Sequence, residues 1–148
     1  MPSRSLRFAL AAILLLAAGC ANGRRSPSGF RLPSGDAERG KLAFVKNDCH
    51  TCHEVSGTDL PKPVVQPPVP VVLGGAIDID KTDGYLVTSI INPSHQIVPG
   101  PKALLTVGFN SRMPSRTSEM TVQELADIVE FLQAHYVVRR PLLNSGYY

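Results

Sequence analysis

The chain has 148 residues, with 15 Lys and Arg against 12 Asp and Glu. That is room for one modest domain once a leader is set aside. The charge is too evenly balanced for a nucleic-acid surface, and no glycine-rich phosphate loop is present, so nucleic-acid binding and nucleotide chemistry are excluded as readings.

Residues 1–19 place Arg4 and Arg7 before an apolar run from Phe8 to Ala18, the layout of a secretory signal. The run is too short for a comfortable transmembrane span. Cys20 follows Ala17-Ala18-Gly19, which resembles a bacterial lipoprotein cleavage box, so Cys20 is expected to become a lipidated N-terminus. An exported protein otherwise has little use for an unpaired thiol there. Without Arg4 and Arg7 the 15 basic residues become 13 against 12 acidic ones, close to neutral. Residues 20–35 are rich in Gly, Ser, Pro and Arg and read as a flexible tether.

A first helix is expected from Ala37 to Asn47, capped by Ser34 or Asp36, with Gly40 and Phe44 on one face. It runs into Cys49-His50-Thr51-Cys52-His53, a complete C-x-x-C-H. Two thiols at that spacing can each bond one vinyl group of a porphyrin, and the adjacent histidine falls beneath the ring, facing the iron. A thioredoxin-like site would need a βαβ setting, which is missing. Cys49, His50, Cys52 and His53 are also too crowded to surround one tetrahedral zinc. The motif therefore predicts one covalently attached haem c, with His50 turned to solvent. Attachment of haem to thiols takes place outside the cytoplasm in bacteria, in agreement with the leader.

Pro61 to Pro70 is too proline-dense for a helix or a central strand and is expected to be extended loop. A second helix is expected from Asp83 to Ile91, stopping before Asn92-Pro93. Thr121-Val-Gln-Glu124 is a capping box, with Met120 and Leu125 as its hydrophobic staple. Val122, Leu125, Ala126, Val129 and Leu132 then mark one apolar face of a closing helix that runs to about His135. Few alternating patterns occur, so the fold class is all-α. Residues 139–148 form a C-terminal tail, and the end of the chain from Val137 to Tyr148 carries more apolar residues than a solvated end needs.

Over roughly residues 36–138 this order of parts resembles a class I c-type cytochrome. Gly40, Phe44 and Phe131 stand where the family's first and last helices cross, and Tyr85 to Pro93, Pro99-Gly100 and Met113-Pro114 are similar to the bacterial branch found in respiratory complexes. The resemblance implies three to four short helices wrapped around one haem, with a proline-rich loop, and a backbone carbonyl from Pro67–Pro70 on the second nitrogen of His53. It implies Cys49, Cys52 and His53 as haem-binding residues.

For the second iron ligand, Met1 leaves with the signal, so Met113 and Met120 remain. Met120 is assigned to the helix start, which favours Met113 in its irregular, proline-stiffened stretch; His95 and His135 are the remaining competitors. Ligation by His53 and Met113 leaves no vacant position for a substrate and raises the reduction potential. The expected function is one-electron transfer on the periplasmic face of a bacterial membrane, without enzymatic activity or a small-molecule substrate. The expected partners are redox proteins or a respiratory complex, with the membrane reached through the lipid anchor. Two alternatives are a fixed haem c subunit of a larger oxidoreductase complex and a haem-based ligand sensor with open iron.

Overall fold

The structure, a computed structural model, describes residues 31–63 and 71–139. The leader, Cys20, most of the tether, Pro67–Pro70 and nearly all of the tail lie outside the described residues.

Helix α1 spans Ala37–Lys46. The Asp36 side chain caps it by accepting from the Arg39 backbone N–H at 2.8 Å, so of the two expected caps Asp36 serves. A 3-10 turn at Cys49–Thr51 comes next. Strand β1 is Gly75–Ile77, and α2 covers Asp83–Ile91, the expected bounds, with the Thr82 hydroxyl accepting from the Tyr85 N–H. A single helical turn, α3 (Lys102–Leu105), leads into β2 (Thr106–Val107) and β3 (Asn110–Ser111). Helix α4 spans Val122–His135 behind the expected capping box, and β4 is Tyr136–Val138. Helix is thus the main regular structure of the described residues and strand is scarce, as the all-α reading requires. Two short pairings, β1 with β4 in parallel and β2 with β3 in antiparallel, add to the expected elements. Strands of two or three residues are too short to leave a periodic signal.

The core lies where α1 crosses α4. Phe44 and Phe131 are each 2% exposed and meet with ring centroids 5.7 Å apart, tilted by 58°. Burying each ring contributes about 2–3 kcal/mol. Ile128, Leu132 and Val55 continue the core, and Leu86 and Val87 bring α2 onto it. Val122, expected on the apolar face, is instead exposed, because it occupies the first turn of α4 beyond the crossing.

Polar groups hold α4 to its neighbours at three places. Asp127, with its side chain 5% exposed, accepts from Arg39 Nε and Nη2 at 2.9 and 3.0 Å, from the Asp36 N–H at 2.8 Å and from Gln123 Nε2 at 2.9 Å. The carboxylate of Glu124 closes the capping box on Thr121 and also accepts from Lys46 Nζ at 2.5 Å. Gln133 is buried and donates to the Lys81 carbonyl and to Asp83, which fastens α4 to the start of α2. At the end of the expected tether, the Ser34 carbonyl accepts from Gln123, and Gly35 lies against Ala126 and Glu130.

Gly40 sets how closely the helices approach. A Cβ there would meet the Asp127 carbonyl and lie 2.7 Å from Phe131 Cβ. Gly40→Ala must push α1 off α4. The expected loss is about 2–3 kcal/mol, read as a fall of roughly 10 °C in thermal midpoint. Acid should act on the same seam. The Lys46 hydrogen bond, then those from Thr121, draws the Glu124 carboxyl down to about 2, and Arg39 leads the lowering at Asp127. Depressed carboxylates stabilise the fold above their unfolded values near pH 4, and that stabilisation is lost as pH falls toward about 2. Glu124→Gln should therefore flatten the pH dependence of stability between about pH 5 and 2, measured by urea unfolding across that range.

Candidate functional site

The C-x-x-C-H residues form one compact turn directly after α1. Asn47 is buried, and both its backbone N–H and its side-chain Nδ2 donate to the Ala43 carbonyl, closing the helix. Asp48 then adopts a left-handed conformation with φ of 57°, which redirects the chain. Local bonds fold the next residues: the Thr51 N–H donates to the Asp48 carbonyl at 3.1 Å, and the N–H groups of Cys52 and His53 donate to that of Cys49 at 3.3 and 3.0 Å. Both thiols are free and half-buried on this turn, and Cys49 touches the hydrophobic core. Burial pushes the Cys49 thiol up to about 11, and Arg116 opposes the shift. A sulfur so placed is suited to an uncharged state, as in a thioether, rather than to a thiolate nucleophile.

His53 is oriented from outside the turn. Its Nδ1 lies 3.0 Å from the Val71 carbonyl. A carbonyl can only accept, so Nδ1 carries the proton and Nε2 keeps its lone pair for a metal. The carbonyl comes from Val71, one residue past the expected Pro67–Pro70. Segment 71–73 is held in place by a parallel bridge between Val55 and Leu73, where the Leu73 N–H donates to Glu54 at 2.8 Å and the Ser56 N–H donates to Leu73 at 2.9 Å. Because the partner is a backbone atom, no side chain in the sequence marks it.

Met113 is half-buried just beyond β3. Its N–H donates to Ser111 Oγ at 3.1 Å, and the Ser111 N–H donates to Ser94 Oγ at 3.0 Å, which ties the segment to the end of α2. Further along, Arg116 reaches back to Asp48 at 3.7 Å, beside Cys49. Met120 lies elsewhere. It borders a cavity of about 940 Å³ between residues 31–35, α2 and α4, whose walls include Leu125 but none of Cys49, Cys52, His53 or Met113. This large hollow is therefore separate from the cysteine turn, and the turn's chemistry is the better guide to function.

The other histidines differ in setting. His95 is exposed at the end of α2. His135 is half-buried, with Nδ1 bonded to the Phe131 carbonyl at 2.7 Å and its ring against Phe131. His50 departs from expectation: its Nδ1 is buried and has no hydrogen-bond partner among the described residues.

Two half-buried thiols on one turn, with an adjacent imidazole whose Nε2 is kept free by a carbonyl on its other nitrogen, are the donor set that a covalently attached haem needs. Comparison with curated proteins and with solved structures finds no match. The family model described as Cytochrome c matches residues 37–135, which contain α1, the cysteine turn, α2 and all of α4. With that match and a donor set that fits haem c, the chain belongs to the cytochrome c family of haem-binding electron-transfer proteins.

Proposed function

We propose that the protein is a monohaem electron carrier on the periplasmic face of a bacterial membrane. Cys49 and Cys52 would attach the haem, His53 would be the proximal iron ligand and Met113 the distal one. The observation that carries this reading is the hydrogen bond from His53 Nδ1 to Val71, which commits one ring nitrogen and frees the other beside two thiols. When bound, haem supplies a one-electron couple, and a soft thioether raises its potential.

The chain's own residues do the positioning. The turn bonds to Cys49 and Asp48 hold the two thiols and His53 in one register. Val71 fixes the angle of the imidazole and its tautomer. Ser111 and Ser94 brace the segment bearing Met113, and Pro114 stiffens its far side. Met120 is the weaker candidate, because it packs on the core and borders a cavity with no member of the cysteine turn. Attachment to the membrane rests on the leader and on Cys20, which precede the described residues.

Two experiments test the proposal. The purified protein should keep its haem through a denaturing gel, and in the oxidised form should show a far-red methionine-to-iron charge-transfer band. Met113→Ala should abolish the band, admit carbon monoxide in the reduced state and lower the midpoint potential by on the order of 100 mV, while Met120→Ala keeps the band. A wild-type protein that lacks the band altogether transfers the ligand role to His95 or His135. For the anchor, Cys20→Ser should move most of the protein from the membrane to the soluble periplasmic fraction or block processing. Wild-type protein that is already soluble rules the anchor out.

A further inference from the structure

We propose that the β2–β3 hairpin is a docking element for a redox protein whose contact face is an apolar hollow rimmed by carboxylates, with Phe109 as the anchoring side chain. The inference rests on the electron-carrier reading and adds the chemistry of the partner's face.

Phe109 is 99% exposed at the hairpin tip, and Val107 and Leu104 beside it are 63% and 43% exposed. A ring offered wholly to water is unusual when the same chain buries Phe44 and Phe131. The tip is built to present it. Gly108 has φ of +61° while Phe109 does not share a positive φ, the glycine-first arrangement of a type II′ hairpin turn. Nothing lies within 4 Å of where a Cβ on Gly108 would be, so the tip stands clear of the body. The base is rigid. Thr106 Oγ1 donates to the Lys102 carbonyl at 2.9 Å, the Arg112 N–H donates to Leu105 at 2.9 Å, and Ser94 holds Ser111. A pre-organised aromatic surrounded by water is the form an interface anchor takes.

Charge indicates what it meets. From Gly84 to Ser118 the sequence has no Asp or Glu, although 12 occur elsewhere, and it carries Lys102, Arg112 and Arg116. Arg116 is paired with Asp48 and Glu119, whereas Lys102 and Arg112 make no ion pair among the described residues. An apolar tip with unpaired cations at its base complements an apolar hollow with an acidic rim. One ring and two cations, of which Arg112 also donates to the Ala103 carbonyl at 3.3 Å, are a small footprint for holding a bilayer surface, which takes a broad apolar face. The location suits electron exchange, because β3 runs directly into Met113 and then, through Arg116, to Asp48 beside Cys49.

The test uses the full-length haem-loaded protein in its reduced form, with an oxidised acidic blue-copper protein as probe. Binding is measured by calorimetry, and transfer of one electron to the cupric probe by stopped flow. Phe109→Ala should weaken binding and lower the second-order rate at least fivefold, with the haem spectrum and thermal midpoint unchanged. Its rate with hexacyanoferrate, too small to need an anchor, should stay within twofold. Arg112→Glu should lower the probe rate at low salt and flatten its dependence on ionic strength. The proposal is overturned if wild type does not bind the acidic probe, or if Phe109→Ala binds and reacts like wild type. It is equally overturned if that variant loses only sedimentation with phosphatidylglycerol vesicles, which would make the hairpin a membrane element. A missing haem spectrum would sink the electron-carrier reading by itself, and calorimetry would still decide the docking.

Discussion

The approach of α1 to α4 at Gly40 is the constraint on which the other parts depend. With no side chain at that point, the backbone of one helix rests on the Asp127 carbonyl of the other, and Phe44 and Phe131 close over the contact. Such an approach leaves no room for water, so polar groups near it must find partners in the protein. Asp127 meets that demand by gathering four donors from Asp36, Arg39 and Gln123. Replacing one of those donors would leave a desolvated carboxylate incompletely matched, which is why a partly exposed arginine belongs to this cluster. The cysteine turn inherits its position from the crossing, because it begins three residues after α1 ends.

The helices were legible because their ends carry chemistry in side chains. Asp36, Thr82 and the pair Thr121 and Glu124 each cap a backbone in the way their residue types advertise. Gly40 and Phe44, one turn apart, marked one face of α1, and the resemblance to class I c-type cytochromes implied the crossing there. The donor set was legible for the same reason, since cysteine and histidine at fixed spacing admit few uses. The features without such a signature are non-local or made of backbone. The Val71 carbonyl has no side-chain mark, and its placement depends on a bridge between Val55 and Leu73. Strand β1 finds β4 some sixty positions later, and neither is long enough to show a period. A buried acid at Asp127 inside an apolar stripe was a readable signal, because such a residue requires donors from a facing element.

The site divides its work between local and distant parts. Hydrogen bonds across three or four residues shape the turn that carries both thiols. Segments far away in sequence then determine what the histidine can do, through Val71, and how the methionine segment is braced, through Ser94 and Ser111. His53 and the Met113 segment are thus each supported from a distant part of the chain, on opposite sides of α2 in the sequence, and a change in either support alters orientation without touching the side chain it positions.

The parallel pairing of β1 with β4 also governs the order in which the molecule can assemble. Bringing Gly75 to Tyr136 closes a long loop, though a shorter one than the α1–α4 crossing closes, and contacts across such loops form late because the entropy of closure precedes any gain. The turn from Asp48 to His53 needs no such closure. In a chain that emerges N-terminus first, both thiols are displayed on a nascent turn while β4 and the end of α4 are still to come. The cysteines are accessible early, and the histidine gains its Val71 partner once segment 71–73 bridges to Val55.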